Sequence, residues 1–320
     1  MPERITISDE VIHPGEDKQI QLGIARLPTY TSIDLNVRVI RAPKDGPVVL
    51  LSGGLHGDEI NGIEIVRRLI ERDHLKLEKG TIIAIPLMNV YGFIQNERGV
   101  PDGKDINRSF PGTKNGSLAK FLAYTIVTEI IPKIDVGIDF HTGGASRANY
   151  PQIRCVFDDD TNMDLATAFA PPVILHSRLI DKSFRKAAHS KGKQIIVYET
   201  GESMRFDEFG IDLAMEGTCR LLHRLGMRKE SKKPDYSPTL YKKSSWVRSK
   251  VAGIFSPKVE LGDFVKARQS IGKVTDPYGN ESIRITNRQA GRVIGLNNCP
   301  VVHKGDALFH IATSQLNNDS

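Results

Sequence analysis

The sequence is poor in cysteine, in tryptophan and in long apolar runs. Among its 320 residues are three cysteines (Cys155, Cys219 and Cys299) and one tryptophan, Trp246. The cysteines are scattered, odd in number and without Cys-x-x-Cys spacing, which argues against a disulfide framework and against a thiolate zinc site. Such usage fits a reducing, cytoplasmic setting. No apolar run approaches the roughly 20 residues that a membrane span needs. The opening stretch MPERITISDEVIHPGEDK is polar and mixed in charge, without the apolar segment of a secretory signal. The formal net charge is only +6, and the basic residues are not clustered. This mild excess favours anionic small molecules; neither a nucleic-acid nor a membrane partner is expected. What remains is a soluble composition, 39% hydrophobic and 26% charged. Its length suits about two domains at roughly 100–200 residues each. Any metal must be held by histidines and carboxylates.

The order of elements reads as α/β. Leading strands are expected at Ile5–Ile7 and Leu35–Ile40. PVVLLSGG (Pro47–Gly54) is a short continuous apolar run ending in glycines, the pattern of a strand buried on both faces. An amphipathic helix is expected from Asn61 to Asp73, then a buried strand at Thr81–Met88. A long Gly-, Asn- and Pro-rich loop follows over 89–116, and loops of that length in a compact domain are usually functional or disordered. Ser117–Ile131 reads as a helix and Val136–Phe140 as a third buried strand. Strands at Ile153–Phe157, Val173–Leu175 and Gln194–Tyr198 alternate with helices near Met163–Phe169 and Asp181–Ser190. A helix from about Phe206 to Leu225 closes the region. Such alternation predicts a mixed sheet flanked by helices. At Arg228–Pro238 the chain turns charged and Pro-containing, as a linker does. Beyond it, short strands and Gly/Asp turns predict a small β barrel or sandwich. The expected domains are therefore 1–228 and 229–320.

Four motifs fall at strand ends of the first domain. GGLHGDEING (Gly53–Gly62) places His56 and Glu59 three apart, just after a buried strand, at the sheet edge where ligands bind in α/β domains. Read alone, the His-x-x-Glu spacing is a weak signal, and His56 reads as a loop histidine with Glu59 a first-turn residue favoured by the helix dipole. DFHTGG (Asp139–Gly144) brings His141 to the same edge, with Asp139 two residues away on the same strand face. A carboxylate there can orient an imidazole. His56, Glu59 and His141 would form a His₂Glu set, and three protein ligands with one open position is the pattern of a catalytic zinc. YETGE (Tyr198–Glu202) carries Glu199 to a further strand end: either a solvated loop residue, or the base that a zinc hydrolase requires. ERGVPDGKDINRSFPG (Glu97–Gly112) holds Arg98 and Arg108, which are either surface charges or anion holders. Asn107 neighbours them, and Asp105 can pair with one of the arginines.

Taken together and in this order, HGDE, DINRSFPG, DFHTGG and YETGE resemble the succinylglutamate desuccinylase/aspartoacylase family, over about residues 40–225 by motif. The resemblance implies a zinc-carboxypeptidase-like fold and one Zn²⁺ per chain, held by His56, Glu59 and His141. It implies Glu199 as general acid/base and Arg98 as the residue that polarises the scissile carbonyl. Asn107 and Arg108 would grip a substrate carboxylate. Arg205 and Tyr198 are candidates for the family's further substrate-binding arginine and tyrosine. The activity implied is hydrolysis of the amide bond of a small, anionic N-acyl amino acid or related N-acyl amine. A metallocarboxypeptidase acting on peptides and a non-catalytic binding protein on the same fold are the competing readings.

The tail from about Trp246 to Ile311 resembles a barrel-sandwich module of the biotinyl/lipoyl type. Its expected hairpin tip, Asp276-Pro277-Tyr278-Gly279-Asn280, has no lysine to carry a cofactor. The module is therefore expected to be a cap over the site or an oligomerisation surface, and a homo-oligomer stays open. The absence of Gly-Lys-Ser/Thr after Gly53-Gly54, of Gly-x-Ser-x-Gly and of His-Glu-x-x-His argues against a nucleotide loop, a serine hydrolase and a zincin.

Overall fold

The computed structural model describes residues 5–72 and 74–316. Strands Ile5–Ile7 (β1) and Glu10–Ile12 (β2) form a separate antiparallel pair. Asp17–Arg26 (β3) and Ser32–Arg41 (β4) form a long hairpin whose residues alternate between buried and exposed, as a sheet covered on one face requires. Val48–Ser52 (β5), Thr81–Ile85 (β6) and Val136–Gly143 (β7) do not alternate, and almost every residue in them is buried. These three lie parallel, with β5 between β6 and β7. Arg147–Cys155 (β8), Val173–His176 (β9) and Gln194–Glu202 (β10) continue the sheet, with β10 parallel to β7 and antiparallel to β8. The fold is mixed α/β.

Helices cover both faces. They are Ile60–Glu71 (α1), Val90–Gln95 (α2), Leu118–Thr125 (α3), Asp160–Phe169 (α4), Phe184–His189 (α5) and Glu208–Arg224 (α6). Strand side chains alternate between two cores. Leu50 packs with Leu122, Ile126 and Phe184 on the α3/α5 side. Its neighbours Val49 and Leu51 pack with Val66, Phe169 and Leu222 on the α1/α4/α6 side. Burying each such aliphatic side chain contributes about 1.5–3 kcal/mol.

The helix expected over Ser117–Ile131 is shorter as an α-helix. It loosens into a π turn at Ile126–Ile130 and a 3₁₀ turn at Ile131–Lys133, which contains Pro132. The region expected to be loop, 89–116, contains α2 and a 3₁₀ turn at Ile106–Arg108. Strand β7 extends past Phe140 to Gly143, so His141 lies within the strand. Helix α1 ends at Glu71, and the expected terminus at Asp73 lies outside the described residues.

Beyond the charged stretch come Thr239–Arg248 (β11), Gly253–Pro257 (β12), Phe264–Val265 (β13), Ser270–Thr275 (β14), Ser282–Thr286 (β15), Gly291–Asn297 (β16), Val301–Val302 (β17) and Ala307–Leu316 (β18). β11 pairs parallel with β9, and β16 pairs antiparallel with β8. Among the described residues, one sheet of twelve strands therefore crosses the Arg228–Pro238 stretch. Strands β12, β14, β15 and β17 form a second sheet of four, and its core holds Phe255, Val274 and Phe309. Among the described residues, no helix is long and apolar enough to cross a membrane.

Candidate active site

The site lies where β5, β7 and β10 end, side by side. Two glycines of the first motif explain how the pieces meet. A Cβ on Gly62 would fall 2.4 Å from the Phe140 carbonyl oxygen, and one on Gly53 would fall 2.5 Å from Gly62. Helix α1 can press its first turn against β5 and β7 only because these positions lack side chains. That contact carries His56 and Glu59 to His141.

Glu59 occupies the N-cap position of α1 but makes no side-chain cap. Its carboxylate turns instead to the histidines. One oxygen lies 2.7 Å from Nδ1 of His56 and the other 2.7 Å from Nδ1 of His141. Nε2 of each ring faces a second carboxylate: Asp139 at 2.7 Å from His141, and Asp105 at 3.3 Å from His56. Asp139 is held in turn by the Ser52 hydroxyl, which donates to it at 2.8 Å. All three central side chains are buried. Burial would push Glu59 up, yet the charges of His56 and His141 hold it well below the usual carboxylate range. Burial would push His141 down, yet Asp139 and Glu59 hold it well above its ordinary value.

The ligating atoms of His56, Glu59 and His141 all lie within 4.8 Å of one another, so the trio could hold a metal ion. Two observations favour that fit. Both ring nitrogens of His56 are buried without a partner in hydrogen-bonding geometry, although carboxylates approach them. Each histidine also presents Nδ1 inward and backs Nε2 with a carboxylate, the arrangement that orients metal-bound imidazoles.

Glu199 sits on β10 in register with His141 on β7. Asn149 Nδ2 donates to one of its oxygens at 2.8 Å, and Arg154 approaches the other at 3.1 Å. Arg98 donates to Glu59 at 2.9 Å and pairs with Asp105 at 3.1 Å. Asn107 accepts the backbone amide of Phe184 through Oδ1. Arg108 stands exposed at the rim, its Nη1 donating to the Asn107 carbonyl. His56, Glu59, His141, Glu199, Arg98, Asn107 and Arg108 all line one cavity of about 330 Å³.

Two candidates are not brought there. Tyr198 is fully buried on the other side of β10, because neighbours along a strand face opposite ways, and its hydroxyl donates to the Gly210 carbonyl. Arg205 is solvent-exposed and does not line the cavity. Motif reading missed Asn149, Arg154 and Arg185. Arg185 lines the cavity almost fully buried and donates only to neutral acceptors: the carbonyls of Arg154, Ser177 and Arg178 and the Ser177 hydroxyl. Burial pushes its guanidinium down to about 10. None of these three belongs to a local motif, and the sequence around them carries no signal that sets them apart.

The catalytic-domain profile of the succinylglutamate desuccinylase/aspartoacylase family matches residues 45–225. The chain belongs to this family. The match spans every motif of the site. A relative from Halomonas elongata, N-alpha-acetyl-L-2,4-diaminobutyric acid deacetylase, is 30% identical over 282 residues, covering 80% of each chain. The fold is shared with a succinylglutamate desuccinylase/aspartoacylase from Rhodobacter sphaeroides, with a TM-score of 0.81 at 23% identity over 92% of this chain and 94% of that one. It is shared also with the product-bound ectoine utilization protein EutE (DoeB) from Ruegeria pomeroyi, with a TM-score of 0.83 at 22% identity over 95% and 97%.

Proposed function

We propose that this family member is a zinc-dependent deacylase that hydrolyses the amide bond of a small, anionic N-acyl amino acid or related N-acyl amine. The observation that carries the reading is a second carboxylate, Glu199, held by Asn149 and Arg154 in the cavity of the His56–Glu59–His141 trio. The named activity of the Halomonas relative, removal of acetyl from an amino acid, points the same way.

One zinc ion on the trio would supply Lewis acidity toward a carbonyl and toward water. The residues do the rest. Asn107 and Arg108 bind the substrate carboxylate, the guanidinium contributing a bidentate, charge-assisted contact. Arg98 donates to the carbonyl oxygen as negative charge develops there. Glu199 accepts a proton from the attacking water and returns it to the leaving amine. Residues 1–228 act as the catalytic unit, and 229–320 form a barrel-sandwich-like cap over it.

The test is a panel of N-acyl amino acids and C-terminally varied peptides, offered to the zinc-loaded protein with a His56→Ala control. Release of free amino acid from the acyl substrates, lost in the control, is expected. Preferential cleavage of the peptides, or no turnover of either class, would contradict the reading.

A further inference from the structure

Strand β8 changes neighbours part-way along. Its first residues pair with β16 of the tail: Arg147 with Asn297, Ala148 with Leu296 and Asn149 with Gly295. From Gln152 onward the same edge pairs with β9 instead, from Gln152 against Val173 to Cys155 against His176. Pro151 stands at the changeover. Proline has no amide hydrogen to give a sheet, so within strands it is confined to edges and bulges. The other edge of β8 faces β10 and shows the bulge. Glu199 lies opposite Gln152 and Gly201 opposite Asn149, so three steps along β8 match two along β10.

The bulge decides where Asn149 points. On a regular strand Asn149 and Gln152, three apart, would face opposite sides of the sheet. The extra residue turns Asn149 to the side of Glu199, and both line the cavity. Asn149 is buried there, and its Nδ2 donates to Glu199 Oε2 at 2.8 Å. An ionised carboxylate only accepts, so the asparagine must present its NH₂ to it. Arg154 approaches the other oxygen at 3.1 Å. Asparagine has a single methylene between amide and backbone, so the amide goes where the β8 backbone places it.

Strand β16 fixes that backbone. Opposite Asn149 is Gly295, where a Cβ would fall 3.2 Å from Asn149 Oδ1 and 2.9 Å from the Cβ of His310. His310 belongs to β18, which pairs along the far edge of β16, and Trp246 stacks on its ring with ring centres 4.3 Å apart. The Asn149 amide therefore lies between the Glu199 carboxylate and a glycine of the tail that leaves it room.

We propose that Asn149 is a positioning residue for the hydrolysis, and that β16 of the tail, paired to it at Gly295, holds it against Glu199. The amide fixes the plane of the carboxylate. Asn149 and Arg154 together use two of its roughly four lone-pair sites, and the others stay available for the proton of the attacking water. A neutral donor serves Glu199 both before and after it takes that proton. The tail thus does more than cover the cavity, because one of its strands seats the base. The proposal rests on the function proposed above, since that reading gives Glu199 its proton.

The experiment measures kcat, KM and zinc content of the full-length, zinc-loaded protein, with the N-acyl amino acid that it turns over fastest. Asn149→Ala should keep its zinc and lower kcat roughly 10–100-fold, the cost of a misplaced catalytic group, while KM changes less than about 3-fold. Asn149→Asp, which keeps the shape but has no N–H to donate, should lose as much. Added to Glu199→Gln, Asn149→Ala should cost less than about 2-fold more, because groups that act as a unit are not additive. Gly295→Ala should lower kcat at least about 3-fold in the wild type and have no further effect beside Asn149→Ala. Wild-type kcat in Asn149→Ala, an equal loss with and without Glu199, or a Gly295→Ala effect independent of Asn149 would overturn the proposal. The Asn149–Glu199 cycle carries the test even where Gly295→Ala fails to fold. If Glu199→Gln alone keeps wild-type kcat, the functional reading fails and the proposal falls with it. If Glu199→Gln is inactive and Asn149→Ala is unimpaired, the proposal alone fails.

Discussion

Nδ1 of His141 lies 2.7 Å from the Glu59 carboxylate, across 82 residues of sequence. That contact joins the end of one central strand to the first turn of the helix that follows its neighbour. Its consequences can be measured at each layer of the site.

The outer carboxylate is the first. Asp139 fixes the His141 ring from behind at 2.7 Å. Asp139→Asn keeps the shape but weakens the orienting charge. It should lower zinc affinity by about 10–100-fold, as loss of such a partner does elsewhere. Competition with a chromophoric chelator reads this directly, and an unchanged affinity would mean that Asp139 does not support the ligand.

The helix approach is the second. A methyl on Gly62 must displace the Phe140 backbone, so Gly62→Ala should cost about 1–3 kcal/mol of stability by overpacking. Zinc affinity should fall with it, because α1 carries Glu59. Chemical denaturation of wild type and variant checks the first effect. A variant as stable as wild type would show that α1 has room to shift.

The third concerns pH. Burial, with Arg154 nearby, pushes His310 down to about 3. The folded protein therefore keeps His310 neutral where an unfolded histidine, near 6.5, would protonate. The associated stability is present above about pH 6.5 and is lost progressively as pH falls toward 3, because the unfolded chain takes up the proton first. Trp246 stacks on this ring, so its emission should stay flat between pH 8 and 5. An emission transition with a midpoint near 6.5 would contradict the burial argument.

These layers differ in how readable they were from sequence. The largely apolar stretches at Pro47–Gly54 and Val136–Phe140 announce buried strands, and polar residues at their ends stand out. The trio was legible for that reason. Asn149, Arg154 and Arg185 were not, because their roles depend on which strands neighbour one another. β8 reaches Glu199 only because it pairs antiparallel with β10, and period-two patterning does not specify a partner. The Arg228–Pro238 stretch looked like a break between units. In space β11 rejoins the sheet beside β9, which a composition shift has no means of encoding. Tyr198, only a candidate from the motif, is buried away from the cavity that its strand neighbour Glu199 lines.

The central claim is that Glu199 moves the proton at a metal site built from His56, Glu59 and His141. Glu199→Gln tests it most directly, with zinc content and kcat measured on the same preparation. The account predicts about one zinc per chain, as in wild type, and a fall in kcat of about 10²–10⁴-fold, the range that a general acid/base contributes. A variant that holds zinc and keeps wild-type kcat would contradict it.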